Sequence, residues 1–302
     1  MLYSAAIICD LYNARYEMAL TDRRKDAGPT PARSASISPE LFDDQAAVFE
    51  RRAGLPMDAC REIANKVLEI AAVEPGDLVV EIGPGTGQIG QWLGEAVRYI
   101  GLDLSAGMLK EFAHRLSGHL GNRALIQADA NASWPVANRT ARAIFGSRAL
   151  HLLNHEHVAA EALRVATHEG ATLIIGRIER HHDSIRARMA REMNERLRRR
   201  GLEGRRGEQR DRRLIEACCR RGAQLLPLVP VASWQVSSSP RQSLDSWRSI
   251  EKLGGIQLRA TIRDEVLTEL EAWAKDVFGE LDQPVASEET YVLKGLRLPP
   301  AH

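Results

Sequence analysis

Long apolar runs are missing from this chain. None of its 302 residues belongs to a run near the ~18 apolar positions that a membrane helix needs. The apolar segment Ala5–Cys9 has no basic stretch before it and meets Asp10 at once, which argues against a signal peptide. Cysteine is scarce. Cys9, Cys60, Cys218 and Cys219 form no C-x-x-C pair, and no histidines stand beside them at metal-ligand spacing. A disulfide framework and a thiolate metal site are therefore not expected, and buried or incidental thiols in a reducing cytoplasm are. Net charge is nearly absent at +1, so the overall balance demands no polyanionic partner. Lysine is rare, at 6 residues against 35 arginines, a bias that fits a skewed genome as well as a functional demand. The chain does have a 44% hydrophobic fraction, enough for a sizeable core. Its length suits one large α/β domain, or one domain with an inserted cap.

Residues 1–37 lack sustained periodicity, and Asp22–Ser36 is rich in Arg, Pro, Ser and Ala, which predicts a flexible extension. Order is expected from Ser38, where Ser38-Pro39-Glu40 supplies an N-cap, a proline and an acid for a first helix. A second helix is expected over Met57–Ala72, with Ile63, Val67 and Ile70 on one stripe. Strands then alternate with helices: strands at 78–82, 98–102, 124–127, 141–147 and 171–175, helices at 106–116 and 155–166. Strands separated by helices pair in parallel through right-handed crossovers. The regularity stops after Arg177. Residues 178–221 hold 15 Arg against 8 Asp or Glu and read as two helices broken near 201–207. A strand at 225–236, helices near 243–251 and 263–278, and a closing strand from 289 complete the pattern.

The chemistry is concentrated at three strand ends. Strand 78–82 carries Glu81 and runs into Gly83-Pro84-Gly85-Thr86-Gly87. Ligands of open parallel sheets bind beyond the carboxyl ends of strands, and glycines there let a ligand approach the backbone. A dinucleotide turn needs glycines at i, i+2 and i+5. Here they fall at 83, 85 and 87, with Gln88 where the third would stand. Glu81 also suits a cationic amino group better than phosphates. Asp103 ends the second strand, where a carboxylate accepts bonds from ribose hydroxyls. Asp129 ends the third, where it is placed to accept from an exocyclic adenine amine. Each acid alone would be an ordinary loop or cap residue. Three in succession after a glycine turn point to a nucleoside ligand.

On these residues the chain resembles the class I S-adenosylmethionine methyltransferases of the small-molecule branch, over roughly residues 75–178. Glu81–Gly87 is similar to the motif E-x-G-x-G-x-G. Asp103, Leu104, Ser105 and Met108-Leu109 resemble D-x-S-x-x-M-L, Asp129-Ala130 the adenine-binding acid, and Phe145–Leu153, with Ser147, the fourth-strand segment. The resemblance implies an α/β fold of Rossmann-like, doubly wound type: a seven-stranded, mostly parallel sheet with an antiparallel last strand, plus a helical cap insertion at 178–223. It implies one domain over 38–302, with lid helices at 38–73 that include Phe42–Phe49. It implies S-adenosylmethionine as cofactor, held by Glu81, Gly83, Pro84, Gly85, Gly87, Asp103, Leu104, Met108, Asp129, Ala130 and Ser147, with no metal. One departure is that Ala141-Arg142-Ala143 replaces the acid that often begins the fourth strand.

The expected reaction is an in-line displacement at a sulfonium methyl, for which the protein supplies alignment and dry surroundings. A base is needed only for a nucleophile with a high-pKa proton, and His151, just past the fourth strand, is the candidate. His155, His157, His181 and His182 are weaker ones. A small-molecule acceptor is expected. Ser147-Arg148-Ala149-Leu150 stands where a base methyltransferase would show an N-P-P-Y-like tetrapeptide, and few aromatics interleave with the arginines, which counts against nucleic acid. A carrier-tethered acid, a nucleic acid or a non-catalytic binding module remain the alternatives.

Overall fold

We describe a computed structural model of the chain, covering residues 55–95, 97–202, 207–250 and 252–300, without the side chains of residues 151, 207–210 and 252. The expected extension over 1–37 and the lid segment Phe42–Phe49 lie outside the described residues.

Each early element follows from its apolar pattern. Helix α1, Met57–Ile70, buries Ala59, Cys60, Ile63, Ala64 and Val67 on one stripe. Strand β1, Leu78–Ile82, is buried at all five positions, as expected of a central parallel strand covered on both faces. A single helical turn, α2 (Gly90–Leu93), follows the glycine-rich segment. Strand β2, Arg98–Asp103, leads into α3, Ala106–Arg115, whose N-cap Ser105 Oγ accepts from the Met108 amide at 3.1 Å. Strands β3 (Arg123–Gln127) and β4 (Ala141–Ser147) follow, then a 3₁₀ turn, Leu150–Leu152. Helix α4, His155–Val165, is capped by Asn154, which accepts from the Glu156 and His157 amides. Strand β5 spans Thr172–Arg180, longer than the pattern indicated.

The remaining elements are α5 (Ile185–Arg199), α6 (Gly207–Cys219), β6 (Gln224–Ser238), α7 (Pro240–Arg248), β7 (Lys252–Leu253), β8 (Ile256–Gln257), α8 (Ala260–Phe278) and β9 (Val285–Arg297). The hairpin β7–β8 was not legible as strands. It turns on Gly254 and Gly255, both at positive φ, as a two-residue turn requires.

Seven strands form one mixed sheet in the order β3-β2-β1-β4-β5-β9-β6, the fold class expected from the sequence. Pairs β1–β2, β2–β3, β1–β4 and β4–β5 are parallel. Strand order reverses between β1 and β4, which makes the space beyond their carboxyl ends a switch point where ligands bind.

The chain divides into two compact units. Among the described residues the first holds those of 55–177, 210–232 and 292–300, the second those of 178–202, 207–209 and 233–291. The helical insertion expected over 178–223 is thus split. Helix α6 buries Leu214, Ile215, Ala217 and Cys218 in the core of the first unit. Helix α5 instead shares a core with α7 and α8, built on Met189, Met193, Leu197, Leu244, Val266 and Leu270. The missing signal was in α7 and α8, whose apolar stripes need a partner and find it in α5. Several arginines of this region are met by acids. Arg196 pairs with Glu192, as its i,i+4 spacing indicated, and with Glu269, which also takes Arg200. Arg180 and Arg186 both reach the buried Glu289.

Candidate functional site

A cavity of about 460 Å³ opens in the first unit at the carboxyl ends of β1, β2 and β4. Ten of the eleven residues expected to hold the cofactor line it: Glu81, Gly83, Pro84 and Gly85 from the first motif, Asp103, Leu104 and Met108 from the second, and Asp129, Ala130 and Ser147. The eleventh, Gly87, supports the turn from behind, where a Cβ would stand 2.0 Å from the ring of Phe112. Gly83 is required for a similar reason, since its Cβ would stand 2.3 Å from that of Ala149. Gly85 is different. It has φ +57°, and a Cβ there would meet nothing within 4 Å, so its backbone faces open space.

Asp103 ties the turn to the second strand. Its Oδ2 accepts from the Gly85 amide at 2.9 Å and its Oδ1 from the Ser105 amide at 3.0 Å. From the other side Arg115 Nε donates to Thr86 O at 2.9 Å. The glycine loop is thereby set before any ligand arrives. Asp129 is exposed at the rim, and its Oδ1 accepts from the Asn131 amide at 2.8 Å.

Glu81 is 2% exposed. Burial pushes its carboxyl up to about 7, against the pull of the Tyr99 hydroxyl, which donates to Glu81 Oε2 at 2.6 Å; the charge of Asp103 pushes the same way as burial. Tyr99 was not singled out in the sequence, although its place four residues before Asp103 on the neighbouring strand is the signal that would have found it. Arg148 was also missed as a site residue. It lines the cavity with φ +60°, a conformation rarely taken by a residue with a side chain.

His151 lies in the 3₁₀ turn Leu150–Leu152, directly after the cavity-lining Ser147–Ala149 segment, and its side chain lies outside the described residues. The other histidines are placed less well for proton transfer. His157 Nε2 lies 2.7 Å from Ala132 O. His181 and His182 are exposed in the second unit with ring centroids 4.6 Å apart, and His182 pairs with Asp183 at 3.0 Å. Cys60 and Cys218 are buried free thiols that burial pushes up to about 11 and about 12, while Cys219 is exposed. Cys9 lies outside the described residues.

The cavity fits S-adenosylmethionine on three observations. Its acids match an ammonium, a ribose diol and an adenine amine. Gly85 leaves backbone open to a ligand. Gln88 Oε1 is buried beside the cavity with no hydrogen-bond donor, so an acceptor is available there.

Residues 79–170 match the family model described as a methyltransferase domain. No curated protein matches the sequence. Among solved structures, a protein from Bacillus halodurans C-125 provisionally named a methyltransferase is 16% identical, with a TM-score of 0.52 over 78% of this chain and 98% of its own. The 4+2 cyclase SpnF is also 16% identical, with a TM-score of 0.54 over 91% of this chain and 100% of its own. These two likenesses show the fold, and the family match covers the glycine turn and the three acids. The stretch that holds the glycine turn and its acids is thus similar to a methyltransferase domain, the class whose cofactor is S-adenosylmethionine.

Proposed function

We propose that the chain transfers a methyl group from S-adenosylmethionine to an oxygen, nitrogen or carbon nucleophile of a small molecule. The observation that carries this reading is the convergence of the glycine turn and three strand-end acids on one cavity. In it Glu81 holds the ammonium of the cofactor, Asp103 the ribose hydroxyls and Asp129 the adenine amine. The cofactor supplies an electrophilic methyl on a sulfonium. The chain's residues supply position: Asp103 and Arg115 fix the loop, and Leu102, Met108, Leu152 and Leu153 keep water from the cavity walls. His151 takes a proton from the acceptor where that proton has a high pKa.

A small acceptor fits the absence of an N-P-P-Y-like segment at 147–150, and in the second unit Arg196 and Arg200 are engaged by Glu192 and Glu269. Among the described residues no helix is long and apolar enough to cross a membrane. The fold alone does not fix the reaction, since a cyclase shares it. The test is incubation of the protein with metabolite extracts and methyl-labelled cofactor, followed by mass spectrometry. A labelled small molecule formed in step with S-adenosylhomocysteine is expected. Cofactor binding without any turnover would favour a binding module, and label in nucleic acid would overturn the acceptor class.

A further inference from the structure

Helix α4 turns one polar face toward the segment that follows β3. His157, Glu161 and Arg164 stand four and then three residues apart, so they share that face. All three reach the backbone of that segment. His157 Nε2 lies 2.7 Å from Ala132 O, and since a carbonyl only accepts, this nitrogen carries the hydrogen. Glu161 Oε2 accepts from the Trp134 amide at 2.6 Å. Arg164 donates to Trp134 O at 2.9 Å and to Val136 O at 2.8 Å. Its remaining donors take Asn138 Oδ1 and both carboxylate oxygens of Glu161, which engages all five N–H groups of the guanidinium.

The segment held in this way begins with Asp129, Ala130 and Asn131, which line the cavity. The grip is passed back to them. Trp134 is 3% exposed, and its indole Nε1 donates to Ala130 O at 3.0 Å. Asn131 Oδ1 accepts from the amide of Asn154, the N-cap of α4, at 2.8 Å. Trp134, His157, Glu161 and Arg164 themselves stand behind the cavity wall rather than in it. Glu161 is buried, and hydrogen bonds from Arg164 hold its carboxyl below the usual carboxylate range, so it stays ionised. Asp129 is exposed at the rim and has no packing of its own to fix it. A lone carboxylate selects one amine only if its backbone is held to within about half an ångström, and a frame of hydrogen bonds to that backbone does this.

We propose that the polar face of α4, acting through Trp134, sets the position of Asp129 and thereby makes the site selective for an amino-substituted purine over an oxo-substituted one. The inference rests on the cofactor reading given above and names the positioning residues that give it base selectivity. They act through Asp129 and Ala130 and touch no ligand.

The test compares two ligands that differ at one edge of the base: S-adenosylhomocysteine, and S-inosylhomocysteine, in which an oxo group replaces the exocyclic amine. Calorimetry is run on wild type and three variants. Trp134→Phe keeps a buried ring and drops the N–H. His157→Leu and His157→Gln alter a partly exposed position, and only the glutamine can still donate to Ala132 O. Wild type should bind S-adenosylhomocysteine about tenfold more tightly, the effect of one charge-assisted bond. Trp134→Phe and His157→Leu should narrow the gap below about threefold by losing affinity for S-adenosylhomocysteine alone, and His157→Gln should restore it. Equal losses for both ligands would mean that these residues only support the fold, and unchanged affinities would mean that Asp129 is held without them. Either result overturns the proposal. A wild type that binds both ligands equally overturns it together with the role of Asp129. A wild type that binds neither overturns it together with the cofactor reading itself.

Discussion

The hydroxyl of Tyr99 and the carboxylate of Glu81 meet at 2.6 Å inside the sheet, one strand apart and both shielded from water. Gly90 completes the enclosure, since a Cβ there would lie 2.4 Å from the hydroxyl and 2.6 Å from Glu81 Oε2. A carboxyl in such a place is held near neutrality by two opposing effects, burial raising its pKa and the phenol lowering it.

Cofactor affinity should consequently depend on pH. An ammonium binds the ionised form of Glu81, so affinity should rise as pH climbs through about 7 and level off above it. Glu81→Gln should flatten the profile. Tyr99→Phe removes the donor that favours the charged form, so its midpoint should move to higher pH. Calorimetry from pH 6 to 8.5 measures all three, and a Tyr99→Phe midpoint at lower pH would contradict the account.

The same group affects folding with the opposite slope. Its pKa is raised in the folded state, from 4.5 to about 7, so the unfolded chain ionises first. Stability of the ligand-free protein should fall between those values and be flat above them. At ~1.4 kcal/mol per unit the loss is roughly 3 kcal/mol. Glu81→Gln should abolish that part of the pH dependence, as read by denaturant midpoints.

The sheet and cavity were legible because their signals are local. A fully apolar strand, a glycine turn and an acid at a strand end each occupy a few adjacent residues, and β1, β2 and their acids appear where those patterns placed them. What was not legible depends on neighbours in space. Tyr99 reads as an ordinary strand residue until β1 and β2 are paired in register. Arg148 reads as an ordinary loop residue until Ala149 is seen against Gly83. The second unit escaped notice because its core joins α5 to α7 and α8 across forty or more intervening residues.

Asp103 has two tasks, and its variants should separate them. Its carboxylate holds the Gly85 and Ser105 amides and retains lone pairs for ribose hydroxyls. Charge-assisted bonds are worth about 1.5–3 kcal/mol each in favourable cases. Asp103→Ala should weaken S-adenosylhomocysteine binding at least tenfold and lower the melting temperature. Asp103→Asn keeps an acceptor oxygen, so it should be more stable than the alanine variant while binding nearly as poorly. Unchanged affinity in both would place the ribose elsewhere.

His151→Ala tests the base. With an alcohol acceptor, kcat should fall roughly 10²–10⁴-fold while cofactor affinity stays constant. With a neutral amine or a stabilised carbanion the loss should be small. A stable variant with near-normal turnover of an alcohol removes His151 from the catalytic account.

Gly85 and Gly87 offer the sharpest contrast, because they are two residues apart and share the same backbone sign, φ +57° and +78°. Alanine at either position bears the cost of a left-handed conformation, about 1 kcal/mol. At Gly87 the added methyl also meets the ring of Phe112 at 2.0 Å, and Phe112 is fully buried with nowhere to retreat. Overpacking of that kind costs a further ~1–3 kcal/mol. Gly87→Ala should therefore lower the melting temperature by roughly 5–10 °C. At Gly85 the methyl meets no protein atom, so the melting temperature should fall by only about 2–4 °C. Gly85 lines the cavity, however, and the methyl stands where a ligand approaches the backbone. Gly85→Ala should lose at least tenfold in affinity for S-adenosylhomocysteine, more than Gly87→Ala loses per degree of destabilisation. Thermal unfolding and calorimetry on the two proteins thus give crossed results if the turn cradles the cofactor. If Gly85→Ala binds as tightly as wild type, the ligand does not rest on this turn.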